Sequence, residues 1–325
     1  MRFGIIGTNF ISDRFLASLP FTDATAVAVL SRKRETGEAF AKKHGIPFVY
    51  TDLSDFLASD AFDAVYVASP NALHKEQSIA ALRAGKHVLC EKPIAPSLRE
   101  YEQMHAVANE RGLILLEAMR PVFDRGWQAV RTSLKAVGRI RAVHLDFCQY
   151  SSRYDAFLSG RVENAFDPSL SNAALLDIGV YPIAVAIMLF GVPSAVKSHS
   201  LFLGNGFEGG GSALLSYDGF AVSITYSKVC DSASASVILG EEGSISVDKV
   251  SEPLAITLKR RGENATPLCW EPSEAPDNMF LEIAAFCRMV REGDTTATDA
   301  VSRGTLSVMD AIRRQNGIRF PSDAR

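Results

Sequence analysis

Arg2-Phe3-Gly4-Ile5-Ile6-Gly7-Thr8-Asn9-Phe10-Ile11-Ser12 is the stretch that decides the fold. Its first half is a short apolar run, and its second half is a turn that leads into helical spacing. In dinucleotide-binding domains the first strand, turn and helix have this layout, with glycines in the turn so that backbone N–H groups can approach a pyrophosphate. That fingerprint asks for glycine at positions 7, 9 and 12, and only Gly7 is present. Asn9 is the next-best residue for a left-handed backbone, and Ser12 is small enough for a helix to lie close to its strand. The turn still offers N–H groups and a helix N-terminus to an anion. Gly7, Thr8, Asn9, Phe10 and Ile11 are therefore the candidate pyrophosphate residues. The alternative is a plain tight turn.

The pattern continues outward from this turn. Apolar runs at Ala26–Leu30, Ala64–Ala68, His87–Cys90 and Leu113–Leu116 alternate with helical spacing at Ile11–Leu19, Glu35–His44, His74–Ala84 and Leu98–Arg111. Gly45, Gly85 and Gly112 stand where helices should stop. Repeated strand–helix units imply a parallel sheet with helices on both faces, and strands without polar alternation agree with that. The expected first domain is an α/β Rossmann domain, a doubly wound parallel sheet, over residues 1–120.

Beyond residue 120 the period changes. A helix is expected over Asp124–Ala136, a long strand over Arg139–Tyr150, a polar loop over Ser151–Asn172 and a helix over Ala173–Phe190. From Ser194 to Leu258 strands and turns follow one another. Phe220, Val222, Ile224 and Tyr226 alternate with Ala221, Ser223, Thr225 and Ser227. One greasy face and one face of small residues predict a large, mostly antiparallel, open-faced sheet. Helices over Met279–Arg291 and Asp299–Gln315 complete an α+β domain, residues 121–325, whose C-terminal helix is free to pack back on the first domain. The small-residue face is suited to pairing with a second copy, as a homodimer or a tetramer.

Residues able to carry chemistry gather at expected strand ends. After the second strand comes Ser31-Arg32-Lys33. An NAD enzyme usually places a carboxylate there for the ribose 2′-hydroxyl. A hydroxyl followed by cations suits a 2′-phosphate instead, so NADP(H) is preferred over NAD(H). The plain alternative is a solvated helix start. Ser69-Pro70-Asn71 with His74, Glu91-Lys92-Pro93 and Glu117-Ala118-Met119-Arg120 fall at the ends of three consecutive strands, the edge where open α/β sheets bind ligands. Ser69, Pro70, Asn71, His74, Glu91, Lys92 and Arg120 are accordingly candidate cofactor residues, although a histidine at a helix start is more often a packing residue. In Leu176-Asp177-Ile178-Gly179-Val180-Tyr181-Pro182, Asp177 and Tyr181 are four apart and share a helix face. Asp177 needs a partner, for which a lysine from the first domain would serve. Pro182, lacking an N–H, implies an irregular turn.

The Glu91-Lys92-Pro93 motif followed by Asp177-x-Gly179-x-Tyr181-Pro182 resembles the glucose–fructose oxidoreductase / inositol dehydrogenase / rhizopine-catabolism family, Gfo/Idh/MocA. The resemblance extends over nearly the whole chain. Its tyrosine at position 181 looks like the branch of dimeric dihydrodiol dehydrogenase and NADP-dependent D-xylose dehydrogenases. It implies hydride transfer between nicotinamide and a carbonyl or alcohol carbon of a sugar, polyol or dihydrodiol-like molecule. Lys92, Asp177 and Tyr181 are then the catalytic residues. Lys92 contacts the reacting oxygen, Tyr181 exchanges the proton, and Asp177 orients the pair. Arg153, Asn164 and Asp167, in the loop before Asp177, are candidate substrate residues. The alternative is a non-catalytic nucleotide-binding sensor or scaffold on the same fold.

Composition narrows the classes further. A net charge of −3 gives no electrostatic reason to expect nucleic acid. No apolar stretch is long enough to span a membrane, and no signal-peptide pattern precedes Arg2. The five cysteines are odd in number and without a CxxC pair. That pattern argues against a disulfide framework and a metal site, and for a reducing, cytoplasmic location.

Overall fold

Phe3, Ile5 and Ile6 are buried, as a central strand covered on both faces requires. The structure is a computed structural model that describes residues 1–271 and 275–324. It divides into two compact units, 1–119 with 275–300 and 120–271 with 301–324.

In the first unit the strands are β1 (Arg2–Ile6), β2 (Thr25–Leu30), β3 (Phe48–Tyr50), β4 (Ala64–Val67), β5 (His87–Glu91) and β6 (Leu115–Ala118). They form one sheet in the order β3-β2-β1-β4-β5-β6, and every pairing in it is parallel. The helices between them are α1 (Phe10–Ser18), α2 (Arg34–His44), α3 (Leu53–Leu57), α4 (Asn71–Arg83) and α5 (Leu98–Arg111). The expected Rossmann architecture is present. The winding reverses between β1 and β4, so the carboxyl ends of these two neighbours form the switch point where such sheets take ligands.

Two details differ from the sequence expectation. β3 and α3 had no counterpart in it, because a three-residue edge strand carries too few residues to show a period. The strand expected at Leu113–Leu116 begins at Leu115 instead. Gly112, at φ 63°, and Leu113, whose N–H donates to Ala108 O at 2.9 Å, close the end of α5. The chain is thus still finishing its helix where the apolar run starts.

The second unit begins with α6 (Arg120–Phe123) and α7 (Arg125–Ser133), then β7 (Ile140–Cys148), α8 (Tyr154–Leu158) and α9 (Val180–Phe190). Next come β8 (Ala195–Phe202), β9 (Glu208–Tyr217), β10 (Phe220–Ser227), β11 (Ser236–Gly240), β12 (Gly243–Val247), β13 (Ile256–Arg260) and β14 (Thr266–Pro267). The sheet order is β14-β13-β12-β11-β7-β10-β9-β8. It is antiparallel except between β7 and β10. Val143, Leu145, Val222, Ile224 and Tyr226 are buried on its inner face, where α9 packs.

Residues 279–292 form α10 (Met279–Glu292), which belongs to the first unit, where Phe286 packs on Phe3 with ring centroids 5.6 Å apart. α11 (Thr296–Asn316) follows. In the second unit its Gly304 lies against Ile187 of α9. A Cβ there would come within 2.7 Å of that side chain, so glycine sets how closely the two helices approach.

The helix expected over Ala173–Phe190 is interrupted. Leu175–Gly179 is a π-helical turn that runs directly into α9. Pro182, which has no N–H to donate, follows in the first turn of α9.

Candidate functional site

In the first unit, Gly7 adopts φ 109°, and a Cβ on it would lie 2.6 Å from Ala68 O. Only glycine fits where the ends of β1 and β4 meet. Asn9 departs from expectation. Its backbone is extended, at φ −91°, and the residue caps α1. Its Oδ1 accepts from Ile11 N and Ser12 N, while Nδ2 donates to Ala68 O at 2.8 Å. The asparagine is there for side-chain capping, not for left-handed backbone. Ser12 is fully buried and its hydroxyl donates to Gly7 O at 3.0 Å, so it does supply the close helix–strand approach. Thr8 is half-buried and Phe10 is exposed.

Gly7 N donates to Leu30 O at 3.2 Å, which brings the end of β2 beside this turn. Ser31 is buried, and its hydroxyl donates to Lys33 O at 3.0 Å. It shapes the turn, and its proton points back into the protein. Arg32 and Lys33 are exposed. A cradle that admits only glycine beside two exposed cations, with no carboxylate in the Ser31–Lys33 segment, fits a dinucleotide carrying a 2′-phosphate.

Lys92 sits on a turn that is fastened from three sides. The Lys92–Pro93 peptide is cis. Glu91 Oε1 accepts from Tyr66 Oη at 2.5 Å, and Oε2 accepts from Lys92 N at 3.2 Å. Burial, with Glu91 beside it, pushes the Tyr66 phenol well above its usual value, so it stays a donor. Glu117 Oε1 accepts from Ile94 N at 3.0 Å, which gives that carboxylate a backbone partner on the same turn. His74 is buried, with Nδ1 2.9 Å from Pro93 O and Nε2 2.8 Å from Ser69 O. Burial lowers its pKa, against the two carbonyl oxygens. The ring joins the β4 end to the lysine turn. Ser69 Oγ donates to Gln77 Oε1 at 2.6 Å, and Pro70 and Asn71 start α4.

In the second unit, Asp177 lies in the π-helical turn and Tyr181 in the first turn of α9. Tyr181 is buried edge-on to Phe147, with centroids 5.4 Å apart. Asp177 Oδ2 lies 2.6 Å from Lys228 Nζ, an ion pair within this unit. Glu208 is buried, and its Oε2 accepts from Leu175 N at 2.8 Å, capping the turn that carries Asp177. Burial pushes its carboxyl up to about 7. Gly179 packs on the Tyr226 ring, where a Cβ would stand 3.1 Å from it.

The remaining candidates are placed as follows. Arg120 pairs with Glu252 at 3.4 Å. Arg153 pairs with Glu163 at 3.4 Å. Asn164 is exposed, and its carbonyl accepts from Asn172 Nδ2 at 2.6 Å. Asp167 caps a short 3₁₀ turn through Ser169 N. Lys228 and Glu208 escaped the sequence reading. Lys228 had a signal, since it continues the buried even-numbered face Val222, Ile224, Tyr226, where a charge is out of pattern. Among the described residues no cluster suits a metal ion, and no helix is long and apolar enough to cross a membrane.

Comparison with known proteins follows the same division. Residues 1–119 match the family model "Oxidoreductase family, NAD-binding Rossmann fold", and residues 127–246 match "GFO/IDH/MocA C-terminal domain". The chain is 42% identical over 99% of its length to scyllo-inositol 2-dehydrogenase (NADP(+)) IolU of Bacillus subtilis, and covers 99% of that protein. It is 31% identical to the trans-1,2-dihydrobenzene-1,2-diol dehydrogenase of Danio rerio, over 100% of this chain and 99% of the other. Among solved structures, KijD10, a 3-ketoreductase from Actinomadura kijaniata in complex with NADP and TDP-benzene, superposes with a TM-score of 0.84 at 27% identity, covering 98% of both chains.

Proposed function

The chain belongs to the Gfo/Idh/MocA oxidoreductase family, and from that premise we propose that it interconverts an alcohol and a carbonyl carbon of a cyclic polyol with NADP(H). The observation that carries the cofactor choice is the end of β2, where Arg32 and Lys33 are exposed beside the glycine-only turn and no acid occupies Ser31–Lys33. When bound, NADP(H) supplies or accepts the hydride. Gly7, Thr8, Asn9, Phe10 and Ile11 would receive its pyrophosphate and Arg32 and Lys33 its 2′-phosphate, while Ser31 would shape the turn that presents them. The cyclic-polyol class follows the relative of 42% identity, which acts on scyllo-inositol by name.

The chain's own residues have three tasks. Lys92 holds charge on the reacting oxygen, Tyr181 exchanges its proton with that oxygen, and Asp177 orients the proton-handling groups. The fastening of the Lys92 turn by Glu91, Glu117 and His74 supports the first task, since a cation aids the reaction only if it is already in place. Arg153, Asn164 and Asp167 are proposed to select substrate.

Fluorescence titration with NADPH and NADH at one salt concentration tests the cofactor choice. A preference of about tenfold or more for NADPH, lost in Arg32→Ala, is expected, and equal binding overturns it. Turnover on scyllo-inositol, D-xylose and an aromatic dihydrodiol tests the substrate class, which fails if D-xylose or the dihydrodiol is the best of the three.

A cytoplasmic homodimer completes the proposal. The outer sheet face carries a row Leu214–Ser223–His144–Val237–Ser246 and beside it Ser216–Ala221–Ala142–Leu239, in which Leu214 and Leu239 are exposed. Flat, weakly hydrated surfaces of this kind suit an isologous partner. Sedimentation showing only monomer at micromolar concentration removes it.

A further inference from the structure

The Lys228 side chain is 5% exposed, directly beyond the end of β10, and its partner Asp177 is 41% exposed. A buried ammonium is costly unless it is paired and hydrogen-bonded. Here three kinds of contact hold it. Nζ lies 2.6 Å from Asp177 Oδ2 and donates to Ala165 O at 3.1 Å. It stands over the rings of Phe166 and Phe207, 5.1 and 5.7 Å from their centroids, within cation–π range. Its backbone is fixed as well, with Lys228 N donating to Gly209 O and Lys228 O accepting from Ser151 N, both at 2.9 Å. The ammonium therefore ties the π-helical turn to the loop of residues 151–172, at a point between Asn164 and Asp167.

We propose that Lys228 is a positioning residue that acts through Asp177 and through the loop, setting the carboxylate and the substrate-selecting segment relative to each other. The inference rests on the role proposed above for Asp177. A residue that only filled core volume would need no charge at this depth, and methionine would pack on the two rings as well.

The test is steady-state kinetics with scyllo-inositol and NADP+, or with whichever polyol of the panel turns over fastest, on Lys228→Met, Asp177→Asn and the double variant. For Lys228→Met, kcat is expected to fall about tenfold to a hundredfold and substrate KM to rise severalfold, with the NADPH dissociation constant unchanged. Lys228→Arg should recover part of kcat. The double variant should be no slower than Asp177→Asn alone, since residues acting through one another are not additive. If Lys228→Met does not fold, Lys228→Gln removes the charge and keeps a donor for Ala165 O. A charge-removing variant within twofold of the parent, beside a crippled Asp177→Asn, overturns the inference. So do additive losses in the double variant. An Asp177→Asn variant with full turnover overturns the role of Asp177 first, and this inference with it.

Discussion

The turn that carries Lys92 and the turn that carries Asp177 are held by different kinds of bond. Around Lys92, two carboxylates accept backbone N–H groups of the turn, from Lys92 and Ile94, and a neighbouring histidine ring meets the carbonyl of Pro93. These partners come from β5, β6 and α4, all within the α/β repeat. Around Asp177 the holding groups are a buried ammonium and a buried carboxyl, delivered by two strands of the large sheet, β9 and the end of β10. The first arrangement is backbone-directed and local to one sheet edge. The second depends on a buried ammonium and a buried carboxyl from residues 51 and 31 positions away in sequence, and burial pushes that carboxyl up to about 7, so it should respond to pH near neutrality.

The largest effect expected from this contrast is chemical. Lys92→Met should lower kcat by about a thousandfold, roughly 4 kcal/mol of transition-state stabilisation, while NADPH titration stays within a few-fold of the parent. A change in NADPH affinity as large as the change in kcat would place Lys92 in cofactor binding alone.

Next comes Glu208, whose carboxyl is pushed up to about 7 by burial. Between about pH 4.5 and 7 the folded protein keeps a proton there that the unfolded chain has released. Stability therefore falls as pH rises across that window and is level above it, by about 3 kcal/mol in all. Glu208→Gln should remove this slope and be the more stable protein at pH 8, with little difference near pH 5. Urea midpoints at the two pH values measure it, and parallel slopes for parent and variant would show that Glu208 does not titrate in this range.

Tyr66→Phe probes the other turn. It takes the phenolic donor from Glu91 in a buried site and should cost about 2 kcal/mol of stability, read from the urea midpoint. A loss below about 0.5 kcal/mol would show that this bond does not help to hold the lysine turn. The smallest effect is at Arg32, where alanine should weaken NADPH about tenfold and leave NADH unchanged, by titration at constant salt.

The parts of this molecule that were legible beforehand share a short range. The Rossmann pattern shows in Phe3–Ile6, in Gly7 and in helix ends at Gly45 and Gly112, because strand burial, left-handed turns and caps are set by neighbouring residues. Lys92, Asp177 and Tyr181 stood out because each lies in a compact motif. Asn9 was read for the wrong property. A fingerprint position suggested backbone handedness, where the structure uses the side chain as a cap. β3 was too short to announce itself.

The sequence by itself determined the repeating strand–helix pattern of the first domain, the family and the residues proposed for catalysis, since period, caps and motifs are local in the chain. Only the tertiary structure decided what holds those residues. It paired Asp177 with Lys228, capped its turn with Glu208, packed Tyr226 on Gly179 and gave Glu117 the N–H of Ile94. The physical reason is that a buried charge or an orphan N–H is satisfied by whatever the sheet register brings beside it. That register is a property of the assembled sheet, which no stretch of neighbouring residues contains.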